Sequence, residues 1–290
     1  MTELAQAVVN GLQMGFLYAL VAVGLTIIWG LMEMINFAHG EFLMLGMFAA
    51  WGLSAGLGLD PLLAIVPIGL AMYAFGVVVY RSLMRRVQGG DPFTQIFATI
   101  GLLFLLQNGA VAAFTSDFRF ADNTLLVRLG GAKLQMLGLT FAVPLMLAAG
   151  LALLLFLGLY LLIERTEFGL ALQATSEDRD AARLVGIQPQ RMFAIAWGLG
   201  AALVAVAGAI LMNFFSVYPQ VGLQFTVLAY AIVALGGFGS ILGTLLAALL
   251  VGVIQSVTVV YLPPAFKDAF VFGSYLLIGL LRPQGLFGRF

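Results

Sequence analysis

Two stretches of this 290-residue chain hold side chains whose types and spacing could do chemistry. The first runs from Glu164 to Arg191, ERTEFGLALQATSEDRDAARLVGIQPQR, and carries nine of the 26 charged residues in a chain that is only 9% charged. No charge lies between Leu134 and Ile163, or between Met192 and Phe266. Ser176 is spaced to cap a helix whose first turn holds Glu177 and Asp178, where the helix dipole favours acids. Arg183 falls in the last turn and Gly186 follows as a stop. Ala181, Leu184 and Val185 share a face at the i, i+3, i+4 spacing, with Arg179 and Asp180 beside it. Pro189 ends the element. A short amphipathic helix outside the membrane can dock on a partner, or it can be a solvated loop that caps two spans. Residue types alone leave both open.

The second stretch is Met32 to Phe42, MEMINFAHGEF, which interrupts two uncharged runs. Asn36 and His39 lie three apart and would share a helical face, and Gly40 permits a break or a close approach. One reading is an unwound segment lining a path, with Asn36, His39 and Glu41 as polar contacts. The other is a hydrated turn between spans. Gln107 and Asn108, and further on Gln255, Ser256 and Thr258, are candidates to line a pore or to bond between helices. Gly236, Gly237, Gly239 and Gly243, with Gly252, read more readily as close helix packing than as substrate contacts.

Several chemistries lack their residues. The two lysines stand in GGAKL and AFKDA, and neither has the Walker A spacing that cradles ATP. There is no Cys and one His, so no thiolate site and no metal site follow. No nucleophile elbow or His-Glu-x-x-His is present. Net charge is zero, so there is no nucleic-acid footprint. The apolar runs carry no acid spaced for a proton relay. The sequence therefore points to a route for a neutral or zwitterionic solute, driven from elsewhere, with no cofactor held by this chain.

The elements that must position these residues are membrane helices. Hydrophobic residues make up 62% of the chain and mean hydropathy is +1.09, outside the range of soluble domains. The apolar runs are continuous, as in helices, and not alternating, as in a barrel. The expected fold is all-α and polytopic, a single transmembrane domain over residues 1–290 with about eight or nine spans. The expected runs are Val8–Leu31, Phe42–Leu59, Pro61–Tyr80, Phe93–Phe114, Leu139–Ile163 and Met192–Phe215, then a short segment before Gly236, then Ile241–Leu262 and Ala265–Leu281. Between Ser116 and Gly138 a polar loop is expected. No basic residue precedes the first run, so it reads as a permanent span and not a cleaved signal.

Nine crossings place the loops at 81–91 and 164–191 and the tail from Arg282 on one side. These hold three, four and two Lys or Arg, against Arg119, Arg128, Lys133 and Lys267 opposite. The positive-inside rule makes the richer side cytoplasmic, with the C-terminus inside and the N-terminus outside.

Five stretches in this order resemble the branched-chain amino-acid ABC permeases of the LivH type. They are GFLYALVAVGLTIIWGLMEMINFAHGEF, IGLLFLLQN, the segment with DRDAARLVGI, ALGGFGSILG, and RPQGLFG, and together they cover nearly the whole chain. The resemblance implies a type II-like importer permease in a bacterial inner membrane, in contact with lipid and paired with a second homologous permease subunit. Two ATPase subunits would bind the ATP, and a periplasmic binding protein would deliver substrate. Ser176 to Gly186 would then be the coupling helix that docks on an ATPase subunit. The rival reading is a self-contained channel or facilitator for small neutral solutes such as urea or amides. A membrane-embedded enzyme is a third, with little support from the residues.

Overall fold

The structure is a computed structural model that describes residues 2–121, 124–136 and 138–288. Eleven helices of six residues or more are labelled here in chain order. They are α1 (Thr2–Met32), α2 (His39–Leu57), α3 (Pro61–Val79), α4 (Pro92–Phe114), α5 (Val143–Arg165), α6 (Glu167–Glu177), α7 (Arg179–Leu184), α8 (Pro189–Leu211), α9 (Val221–Gly236), α10 (Ile241–Tyr261) and α11 (Lys267–Leu281). Among the described residues eight helices are long and apolar enough to cross a membrane, and α9, at 16 residues, is a shorter apolar helix. The architecture is the expected polytopic helical bundle, and the seventh segment is the short one anticipated.

Helix starts follow the local chemistry. Asp60 and Asp91 each precede a proline at the first helical position and accept the backbone N–H two residues on, at 2.9 Å in both cases. Proline there sacrifices no helical hydrogen bond, and the carboxylate satisfies a free donor. Ser240 caps α10 through the N–H of Gly243. Pro189 also stands at a first helical position, so it begins α8 and does not merely end the preceding element.

Helices α1 and α8 form the centre. In each, 78% of the most apolar 18-residue window is buried, against 17% in α4 and 6% in the last span. The bundle closes through small residues. Gly11 and Gly15 of α1 meet the backbone of α10 around Ala248 to Val253, and Gly24 meets Gly200 of α8. A side chain at any of these sites would collide with the facing backbone, so helix–helix dispersion contact depends on its absence. Thr26 and Thr244 share a buried hydroxyl contact of 2.7 Å across the α1–α10 seam.

The expected fifth span does not begin at Leu139. Residues Lys133–Met136 (β1) and Leu139–Ala142 (β2) form an antiparallel hairpin in which Lys133 pairs with Ala142 and Met136 with Leu139. Gly138, at φ +77, makes the turn possible, and residue 137 lies outside the described residues. The side chain of Gln6 pins β2 from α1, donating to the Thr140 carbonyl at 2.6 Å and accepting its N–H at 2.7 Å. The expected polar loop from 116 also holds residues 122 and 123, which are outside those described. Its Arg119 pairs in antiparallel fashion with Val217, and its guanidinium lies 4.1 Å from the Trp51 ring centroid.

Candidate functional site

The charged segment folds as two short helices. Thr166 caps α6 through the N–H of Gly169, and Gly169 presses on the Ile163 carbonyl so that α6 doubles back beneath α5. Leu172 and Thr175 bury one face of α6. Ser176 and Glu177 belong to the last turn of α6, with Ser176 Oγ donating to the Gln173 carbonyl at 2.7 Å. Ser176 is therefore not the cap that its spacing suggested. The cap is Asp178, whose Oδ1 accepts the N–H groups of Asp180 and Ala181 at 2.8 and 3.0 Å. Those bonds, that of Ala181 foremost and then that of Asp180, hold the Asp178 carboxyl below the usual carboxylate range.

Helix α7 ends as sharply as it begins. Gly186 adopts φ +87, its N–H bonds to the Arg183 carbonyl at 3.1 Å, and Ile187 N–H bonds to Ala182 at 3.0 Å. This is the paired C-terminal cap that needs a left-handed residue after the helix. Ala182 is buried against the bundle, and Arg179 lies 5.2 Å over the ring of Phe193 at the start of α8. The ion pair between Asp180 and Arg183, at 3.0 Å, is exposed and contributes at most about 1 kcal/mol. Ala181, Leu184 and Val185 all face outward, and the last two are 90% and 75% exposed. A doubly capped helix thus holds two aliphatic side chains away from the bundle.

The same end of the bundle gathers other loops. The Tyr80 ring, at the start of a π-helical turn ending at Met84, meets Phe193 edge-on at 6.4 Å. The C-terminal stretch reaches back so that Leu286 and Phe287 donate to the carbonyls of Leu235 and Gly236. Gly237, at φ +95, lies against Gln284 and Gly288, and Gly239, at φ +79, lies against Gly30. Gly236 and Gly243 face each other across the α9–α10 turn. Two of these four glycines thus serve a turn as well as close packing. A cavity of about 780 Å³ lies here between α1, α6 and the α9–α10 turn, and Glu33, Glu164 and Glu177 line it.

The second stretch is no hydrated turn. Helix α1 stops at Met32, Glu33 takes φ +53, and the chain runs without helix to His39, where α2 begins. Asn36, His39 and Glu41 are fully buried. His39 Nε2 lies 2.9 Å from the carbonyl oxygen of Val21, and because a carbonyl only accepts, Nε2 carries the proton. Val21 is eleven residues before the end of α1, about 17 Å along the helix. The broken segment therefore returns to mid-depth before α2 starts. Non-helical backbone at that depth persists only where protein surrounds it or it faces a cavity.

The surrounding protein is visible residue by residue. Tyr230 Oη accepts the Asn36 N–H at 2.6 Å, Thr99 Oγ1 donates to Ile35 at 3.2 Å, and Thr226 Oγ1 accepts the Gly40 N–H at 2.8 Å. The backbones of Gly40 and Gly222 touch, sealing α2 against α9. Inside that seal Asn36 Nδ2, His39 Nδ1 and both Glu41 oxygens have no hydrogen-bond partner among the described residues. Such groups are costly unless another state partners them. The structure does not bring Gln107 and Asn108 to this cluster. Asn108 is exposed on α4 and donates back to Phe104 at 2.8 Å, and Gln107 is half-buried. Tyr230, Thr99 and Thr226 went unnoticed in the sequence, where each is an ordinary residue of an apolar run.

Comparison with known proteins identifies the family. The family model described as branched-chain amino acid transport system / permease component matches residues 7–279. The chain is 33% identical to the high-affinity branched-chain amino acid transport system permease protein BraD of Pseudomonas aeruginosa, over 98% of this chain and 95% of that protein. It is 31% identical to the LivH permease proteins of Salmonella typhimurium and Escherichia coli, again over 98% of this chain and 95% of each relative. No solved structure matches the chain.

Proposed function

The chain belongs to the family of branched-chain amino acid transport system permease components, and we propose that it is the membrane-spanning permease subunit of an ATP-binding-cassette importer for branched-chain or related amino acids. In this reading the whole chain is one permease domain in a bacterial inner membrane. It has no ATP site of its own. Two separate ATPase subunits drive it, a second homologous permease subunit completes the pore, and a periplasmic binding protein supplies substrate.

One observation carries the reading beyond the family. Helix α7 is capped at both ends, seated through Ala182 and Arg179, and presents Leu184 and Val185 to solvent. A rigid element with an unburied aliphatic tip and a charged rim is suited to transmit a push from a docked ATPase. Residues 176–186 act as the coupling helix, with Asp178 as its cap. The excess of Lys and Arg in the loops at this end supports its being cytoplasmic. That assignment sets the C-terminus inside and the N-terminus outside. Asn36, His39 and Glu41 supply polar contacts to the path when α2 and α9 part, because a broken membrane helix with unpartnered polar groups at mid-depth is the usual form of such a site.

Purification of the tagged chain from native membranes tests this. ATPase, a second permease and a binding protein should co-elute. A chain that elutes without any ATPase and still passes solute is a self-contained channel or facilitator.

A further inference from the structure

A second cavity, of about 740 Å³, opens at the N-terminal end of α1, on the opposite face from α7. The N-terminal half of α1, the C-terminal half of α10 and the start of α11 line it. We propose that this cavity is a binding site for a zwitterionic amino acid with an aliphatic side chain, the vestibule through which substrate enters the permease. The proposal rests on the importer reading and names a site for it.

Three features fit that ligand together. Glu3 and Lys267 are opposite charges lining one cavity, and among the described residues neither forms an ion pair. Glu3 is exposed and Lys267 half-buried, and two unpaired charges of opposite sign complement an ammonium and a carboxylate. Met14, Val259 and Val260 supply an aliphatic wall. Deeper in, Tyr18 Oη donates to Gln255 Oε1 at 2.8 Å, and Gln255 Nε2 donates to Asp268 Oδ1 at 3.2 Å. Tyr18 and Gln255 are both more than nine-tenths buried, so they give the cavity a polar floor, and the relay ends on the exposed Asp268.

A phospholipid could also present a zwitterion at this level. The polar floor argues against it. Tyr18 lies fifteen residues below Glu3, about 22 Å down the helix, where an acyl chain would need an apolar groove. Polar side chains in the membrane face a wet cavity or the bundle interior, and here they face a cavity of the size that small solutes occupy. The cavity and the acidic one at the other end of α1 flank the same α1–α10 seam, closed between them by the Thr26–Thr244 contact. His39 meets α1 at Val21, within that closed section.

The test uses the complete complex in nanodiscs, with Ser256→Cys as the only thiol in this chain, an impermeant maleimide, and leucine as probe. Leucine should slow labelling at least fivefold. 4-Methylpentanoate, which lacks the ammonium, and isopentylamine, which lacks the carboxylate, should each slow it less than twofold. Glu3→Gln with Lys267→Gln should raise the leucine concentration for half protection about tenfold. Equal labelling with and without leucine, in a complex that still takes up leucine with ATP, overturns the site and leaves the importer reading standing. Protection that depends on phosphatidylethanolamine and ignores leucine makes the cavity a lipid groove and equally overturns it. Absence of ATP-driven uptake by the unaltered complex is failure of the importer reading itself.

Discussion

Truncating Leu184 should weaken ATPase binding without weakening the permease. The side chain is 90% exposed and capped in place, so Leu184→Ala should change the stability of the permease alone by less than about 0.5 kcal/mol. At a docked interface the same change removes three carbons. At about 0.8 kcal/mol per buried CH₂, full burial puts the loss near 2.4 kcal/mol, or about 60-fold in Kd. Half burial reduces it to about 1.2 kcal/mol, or about 8-fold. Leu184→Asp should lower affinity further, because it places an unpaired charge in the contact. The assay is titration of the purified ATPase subunit onto the permease pair in nanodiscs, read by interferometry, with thermal unfolding of the permease alone as a check. Gln190→Ala, exposed beyond the helix, is the control and should bind normally. A Kd within twofold of the unaltered chain for both Leu184 variants would refute the argument and leave α7 a solvated connection.

Three further outcomes follow from the geometry. In intact cells a lone cysteine at Thr2 should react with an impermeant thiol reagent and one at Gly288 should not; equal protection of both means an even number of crossings. His39→Ala should cut leucine uptake per assembled complex at least tenfold, with Glu41→Gln lowering it in the same assay; a loss of yield with normal uptake per complex would make His39 a packing group bonded to Val21 and nothing more. The Asp178 carboxyl has a depressed folded-state value, so its cap is present above the unfolded value and is lost as pH falls through the folded one. Amide exchange at Asp180 and Ala181, corrected for intrinsic rates, should therefore quicken in acid, and Asp178→Asn should abolish that response.

The spans were legible in the sequence because each is a continuous apolar run, and lipid forces such runs into helices. Position within a run was harder to read wherever a distant partner decides it. Ser176 followed by two acids is a sound cap pattern, but Leu172 and Thr175 are buried against the bundle and carry α6 onward until Asp178 turns out of it. Leu139 to Ala142 reads as the start of a span, yet it pairs with Lys133–Met136 as a hairpin, and the side chain of Gln6, more than 130 residues earlier, pins it there. Asn36, His39 and Glu41 could be singled out by type alone. Their burial could not, since Thr99, Thr226 and Tyr230 converge on that break from other helices. Gln107 and Asn108 have the same polar character but sit on α4, whose surroundings in this chain leave them partly or fully exposed.

The most direct measurement is leucine uptake into proteoliposomes that hold the complete complex, with binding protein outside and ATP trapped on the α7 side. Leucine should accumulate against its gradient only when both are present, and accumulation should fall to background in the Leu184→Asp complex. Leucine, urea or amide flux that equilibrates through this chain alone, indifferent to ATP and to the binding protein, would contradict the account.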